Sequence, residues 1–362
     1  MKIERQHEIV SAILAFCLGF FFIYAFWYQY AYTPIGMALP LLGGTILFLS
    51  LCNLNLGCGY YNYLLPIFVF VVYVAAFGLI VSRNVAISKV YVMNICEYLI
   101  PMIGVYTYID SDYRKLLRVL KMLVISIMMI AFSSLLNGHV TNTGAIIVGT
   151  LNANVESSLL ALGTVSAIII FSSSQTKFYE KIILTGTIFL FIKTQIDCAS
   201  RRGFVVLLFE RFSSKVNEGD RLRKVYQAKA LSLFLQSPLL GTGLGYVAVY
   251  VGMYSHSMYY ELLACTGIFG TCILVGNLIV SMVQLFSDSC KFDDNYSDLK
   301  ICARCMMLFA GAILLGGFAV VYIYDMYFYI ILGLIAASSK VIRCNLQIMP
   351  GESETVEDTI LF

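Results

Sequence analysis

Apolar runs long enough to cross a lipid bilayer recur along this chain with little between them. That pattern constrains the fold more than any single motif. The runs lie at about Ile9–Gln29, Ile35–Cys52, Leu64–Val81, Val90–Ile109, Val119–Leu136, Val155–Phe171, Lys181–Ile196, Met258–Phe286, Cys302–Ile323 and Tyr327–Val341. A spanning helix needs roughly 20 apolar residues, because the hydrocarbon core is about 30 Å thick and a helix rises about 1.5 Å per residue. Only 12% of the 362 residues are charged, against about 25% in a soluble domain. So few charges cannot cover a water-facing surface, and lipid must supply much of the solvent. Helices satisfy their own backbone hydrogen bonds in lipid. The expected fold is therefore all-α, a polytopic membrane bundle of about 10 transmembrane helices.

Charge placement predicts orientation. Lys2 and Arg5, the loop with Arg114, Lys115 and Arg118, the loop with Lys177 and Lys181, and the loop with Lys291 and Lys300 fall on one side by alternation. Lys340 and Arg343 follow the last run on that side, which the positive-inside rule assigns to the cytoplasm, with both termini. The first run is longer than the apolar part of a leader and lacks a small-residue cleavage site, so it reads as a span. A net charge of +3 is too small to suggest nucleic acid as a partner. The eleven cysteines are mostly inside apolar runs, where they pack as small hydrophobes. Cys302 and Cys305 have no second ligand pair nearby and predict no metal centre.

One long polar excursion interrupts this scaffold, and it orders the chain into four parts. Residues 1–198 are N-terminal spans, 199–257 an external basic segment and loop, 258–345 C-terminal spans, and 346–362 an acidic cytoplasmic tail. Arg201 and Arg202 stand where the seventh run ends, on the side where positive charge is disfavoured. Two readings stand: they anchor the end of the span by snorkelling to headgroups, or their planar donor forks hold a diphosphate. Asp220 is placed to cap a short helix with apolar positions Leu222, Val225, Tyr226, Ala230, Leu233 and Phe234, stopped by Pro238. Arg221 and Arg223 are two residues apart, so only one of them faces a site on that helix. Gly241-Thr242-Gly243-Leu244-Gly245 follows a helix and lacks a Lys-Ser/Thr, so it is a tight turn rather than a nucleotide loop. His256 precedes a long helix between Ser255 and Ser257. With an ordinary pKa near 6.5 it is a fit proton acceptor at neutral pH. Tyr259 follows at the helix start. Glu261 is placed either to orient the histidine or to cap the helix, and the capping role is the favoured one. No acidic pair has metal-binding spacing, so a leaving diphosphate would be stabilised by arginine.

A Ser200-Arg201 turn at the end of a span, an arginine on a later helix, Pro238-Leu239-Leu240-Gly241-Thr242-Gly243-Leu244-Gly245, and then Ser255-His256-Ser257-Met258-Tyr259-Tyr260-Glu261 running to Gly267-Ile268-Phe269-Gly270 resemble the O-antigen ligase/polymerase superfamily of bacterial inner-membrane proteins. The close match covers about residues 198–270. The resemblance implies a C-type glycosyltransferase-like membrane fold with one large external loop. It implies a metal-independent, cofactor-free enzyme that handles glycans on undecaprenyl diphosphate. His256, Arg201 and Arg223 match the catalytic positions, with Arg221 the alternate to Arg223. Arg202, Arg221, Tyr259 and Gly243 are substrate-binding candidates. The expected partners are the undecaprenyl-diphosphate-linked oligosaccharide, the bilayer, and a chain-length regulator and flippase of the same pathway. Ser257 stands where the family usually has Asn, and about twenty residues separate Arg202 from Arg223 where the family has a further helical pair. Four readings remain open. They are polymerisation of a surface polysaccharide, ligation of glycan to lipid A core or another acceptor, transport of lipid-linked sugar, which is a different class, and an inactive relative.

Overall fold

The computed structural model describes residues 2–31, 38–52, 64–137, 139–140, 146–147, 153–198, 218–292 and 296–347. The described chain is helical: α1 (Lys2–Ala31), α2 (Ala38–Cys52), α3 (Leu65–Ile80), α4 (Val85–Ile109), α5 (Tyr113–Asn137), α6 (Ala153–Ser172), α7 (Phe178–Cys198), α8 (Glu218–Gln236), α9 (Tyr246–Val251), α10 (Met258–Cys290), α11 (Ser297–Gly316) and α12 (Met326–Gln347). His139–Val140 pairs antiparallel with Ile146–Ile147 between α5 and α6. Five helices, α4, α5, α10, α11 and α12, are long and apolar enough to cross a membrane. Shorter apolar stretches lie at Glu8–Ile23, Leu42–Cys52, Leu65–Ile80 and Glu156–Ser172.

Two boundaries differ from the sequence expectation. The run at Cys302–Ile323 is not one helix, because α11 stops at Gly316 and residues 317–325 are non-helical. Paired glycines end it, and a Cβ at Gly317 would lie 2.9 Å from Met258, so the small residue also admits the start of α10. Helix α8 begins at Glu218, which puts Asp220 inside the helix instead of at its cap. The acidic tail and the short run Phe204–Phe209 lie outside the described residues.

Helix α12 is the centre of the bundle. Every residue from Met326 to Ser339 is buried, as expected of a helix that is apolar all round. Gly333 lets it approach α4 closely, since a Cβ there would lie 2.9 Å from the Met102 carbonyl oxygen. Most of the described ion pairs gather at one end of the bundle, while Lys193 pairs with Asp197 at 2.8 Å near the other end of α7. Lys340 pairs with Asp110, Arg343 with Asp288 at 3.0 Å, and Lys121 with Glu180 at 2.9 Å. Asp298 at the start of α11 accepts from the Ser174 N–H at 2.7 Å at the same end. The far end of α4, about 37 Å away at 1.5 Å per residue, is tied to the segment after α8. There the Arg83 N–H donates to the Thr242 carbonyl at 3.1 Å and the Arg83 guanidinium donates to Gln236 at 2.6 Å.

The long helix α10 is broken at Gly267, whose φ of 65° and ψ of −168° belong to a region that glycine alone occupies comfortably. The peptide groups that lose their helical partners are taken up by the glycine turn. Thr242 donates to the Ala264 carbonyl from its N–H and its hydroxyl, both at 2.9 Å, and the Gly243 N–H donates to Cys265 at 3.0 Å. The Ile268 N–H, denied Ala264, donates to Pro238 at 2.9 Å, and the Tyr73 hydroxyl donates to Thr266 at 2.8 Å. Close approach demands glycine on both sides. A Cβ at Gly241 would lie 2.4 Å from the Cys265 carbonyl, and one at Gly267 would lie 2.2 Å from the Leu239 carbonyl oxygen. Beyond the break, Ile268–Cys290 rises about 34 Å, enough on its own for a hydrocarbon core of about 30 Å.

Gly267→Ala therefore loses about 3 kcal/mol or more from backbone strain and displaced hydrogen bonds. Gly276→Ala, whose Cβ meets nothing within 4 Å, leaves stability near wild type. Thermal unfolding of the two purified variants side by side checks this.

Candidate functional site

Helix α8 presents Arg223, Tyr226, Ala230 and Leu233 on one face by their three- and four-residue spacing. Ala230 and Leu233 are fully buried, Arg223 and Tyr226 half-buried. Arg221, Leu222, Lys224 and Val225 are exposed, so Leu222 and Val225 do not belong to the packed face expected for them. The buried pair sets the helix phase and leaves Arg223 pointing toward the histidine loop and Arg221 away from it.

His256 sits in that loop, between α9 and α10, half-buried and at φ 57°. Left-handed backbone is rare outside glycine, and it is held here by the neighbours. The Ser255 N–H donates to Glu261 at 2.9 Å, the Ser255 hydroxyl to the Ser257 carbonyl at 2.8 Å, and the Ser257 hydroxyl to Gly317 at 3.2 Å. The Met258 N–H closes the loop on Gly317 at 2.7 Å. The imidazole lies 6.0 Å from the Tyr226 ring, tilted 31°. Its Nε2 is 3.2 Å from Met253 Sδ. A thioether only accepts, so the contact suits a proton on Nε2 and leaves the Nδ1 lone pair to take another. Burial first, and the Arg223 guanidinium second, hold the His256 pKa below its ordinary 6.5. The imidazole is therefore neutral at pH 7 and able to act as a base.

The other candidates divide. Arg201 and Arg202 lie outside the described residues. Gly243 is buried with its N–H committed to Cys265, so its role is to clasp α10. The Tyr259 hydroxyl donates to the Leu314 carbonyl and its ring packs 4.6 Å from Phe318, which ties α10 to α11. Glu261 is fully buried, and its carboxylate fixes the histidine loop rather than the imidazole itself. Among the described residues no three His, Cys, Asp or Glu side chains gather as metal ligands. Sequence reasoning counted Tyr226 only as apolar and passed over Tyr324. Tyr226 was findable, since it stands three residues from Arg223 on the same helix face. Tyr324 was not, because it reaches Glu261 from the connection between α11 and α12, more than sixty residues along the chain.

No protein-family model and no curated protein matches the chain.

The left-handed backbone at His256 separates chemistry from folding. We expect His256→Gly to be more stable than His256→Ala by about 1 kcal/mol, because only glycine adopts this backbone without cost. Equal melting temperatures for the two would show that the loop does not impose the conformation.

Proposed function

We propose that this chain polymerises a bacterial surface polysaccharide, O-antigen, capsule or exopolysaccharide, at the external face of the cytoplasmic membrane. The donor is a glycan on undecaprenyl diphosphate and the acceptor a sugar hydroxyl. Within this reading the bundle has about ten spans, a C-type glycosyltransferase-like architecture and both termini in the cytoplasm. The ion-paired, lysine-rich end of α4 and α12 then faces the cytoplasm, in keeping with the positive-inside rule. The observation that carries the proposal is the meeting of Arg223 and Tyr226 with a neutral, half-buried His256 at the opposite end.

The chemistry follows from those groups. His256 takes the proton of the acceptor hydroxyl through the Nδ1 lone pair. The freed oxygen attacks the anomeric carbon of the donor, and the bond from that carbon to the diphosphate oxygen breaks. The departing diphosphate carries the charge away beside Arg223, with Arg201 and Arg202 as further donors. Cationic donors aimed at the leaving group are commonly the largest share of such catalysis. The half-buried Tyr226 ring gives a sugar an apolar face to rest on.

Deleting the gene and running surface glycan on a gel tests the proposal. Loss of every band above one repeat unit is the expected result. Loss of all attached glycan assigns the ligase reaction instead, and an unchanged ladder removes both.

The acid limb of the rate should report His256. A base must be neutral, and burial and Arg223 lower its pKa, so activity falls only below pH 6.5. Arg223→Gln removes the positive neighbour, raises the histidine pKa, and moves the residual activity's midpoint toward 6.5. A pH–rate profile of the two proteins reads the shift.

A further inference from the structure

Glu261 stands just over a turn beyond His256 and is fully buried, yet both its oxygens are occupied elsewhere. One accepts the Ser255 N–H at 2.9 Å. The other accepts the Tyr324 hydroxyl at 3.1 Å and lies 4.0 Å from Cys265 Sγ. Tyr324 in turn accepts the Gly245 N–H at 3.2 Å. Its ring is clamped between Tyr91 at 4.6 Å and Tyr254 at 5.4 Å, and the Tyr91 and Tyr254 hydroxyls meet at 3.3 Å. One carboxylate thus joins three non-helical segments: the glycine turn, the histidine loop and the connection between α11 and α12. Removing a carboxylate from water costs several kcal/mol, and the donors that hold this one are neutral. Stability alone would be better served by an apolar side chain of similar size.

We infer that Glu261, together with Tyr324, is a positioning residue for His256. The carboxylate pins the peptide in front of the histidine, so the imidazole is presented on a left-handed backbone toward Arg223. The inference rests on reading His256 as the base. Full burial keeps Glu261 from touching a sugar, so its effect passes through the histidine loop. Without the pin, residue 256 relaxes to an ordinary backbone conformation and the imidazole swings into water. Misplacing a catalytic group by about 1 Å costs about 100-fold in rate.

The test uses the full chain in lipid nanodiscs. Its substrate is the lipid-linked glycan extracted from a strain lacking this chain. Glu261→Leu is expected to lower kcat about 100-fold and Tyr324→Phe about tenfold, with KM unchanged within twofold. Glu261→Gln keeps an acceptor for the Ser255 N–H and is expected to retain most activity. Among the described residues, the charged group that acts on the imidazole is Arg223 on α8, and the Tyr226 ring of the same helix lies beside it, while the Glu261 carboxylate on α10 faces the Ser255 N–H and the Tyr324 hydroxyl. Release of the loop relieves burial and the Arg223 field, so the acid midpoint rises toward 6.5 in Glu261→Leu. A loss of folded protein alone would not move that midpoint. Glu261→Leu placed on His256→Gly should add no further loss. If His256→Gly is as active as wild type, the proposed function itself fails. If His256→Gly is inactive while Tyr324→Phe and folded Glu261→Leu turn over normally, only the positioning role fails. Should Glu261→Leu not fold, Tyr324→Phe decides.

Discussion

The peptide groups set free at Gly267 are what the rest of this structure answers to. Each unsatisfied backbone group in an apolar surrounding costs several kcal/mol, so a broken helix survives there only if another segment supplies donors and acceptors. Here the segment from Pro238 to Gly243 supplies both, and the exchange is mutual. Thr242 and Gly243 donate to Ala264 and Cys265, while the Ile268 N–H donates back to Pro238. Glycine stands on each side of the contact because a Cβ on either would strike the other backbone.

That clasp locates the candidate site. Helix α8 ends just before the glycine turn, so fastening the turn to α10 fixes the helix beside it. Ala230 and Leu233 then set its rotation, and Arg223 and Tyr226 follow on the same face. On the other side of the turn, α9 leads to the histidine loop, and Glu261, Tyr324 and Gly317 hold that loop against α10 and α11. The result is a neutral imidazole and a guanidinium brought together from separate elements. A polar loop outside the bundle would place them less reproducibly. Pre-organisation of this kind would serve the proposed transfer of a sugar from a diphosphate, in which charge develops on the leaving group as the proton leaves the acceptor.

Much of the helical bundle was legible in the sequence, because apolar length and the scarcity of charge are direct signatures of lipid as solvent. The end of α11 was not, since hydropathy stays high through Ile323 and only the Gly316-Gly317 pair marks the stop. The resemblance ranked Arg223 over Arg221, but the physical reason is the phase of α8, which the buried Ala230 and Leu233 reveal and the string of apolar residues does not. His256 stood out by its residue type and its place before a helix. Its left-handed backbone did not, since a single residue's φ leaves no trace in composition. The turn at Gly241–Gly245 was recognisable as a turn. That it repairs a helix twenty-odd residues later depends on a three-dimensional contact no spacing rule contains.

Under the proposed function, α8 and the ion-paired end of the bundle lie on opposite sides of a membrane. Cysteine introduced at Lys224, exposed on α8, and at Gln175, exposed beside the Ser174–Asp298 contact, measures this with a membrane-impermeant maleimide in intact cells. Labelling is counted above that of the native cysteines. The expected result is that the cysteine at 224 is labelled in intact cells and the one at 175 only after permeabilisation. Labelling of both from the same side would contradict it.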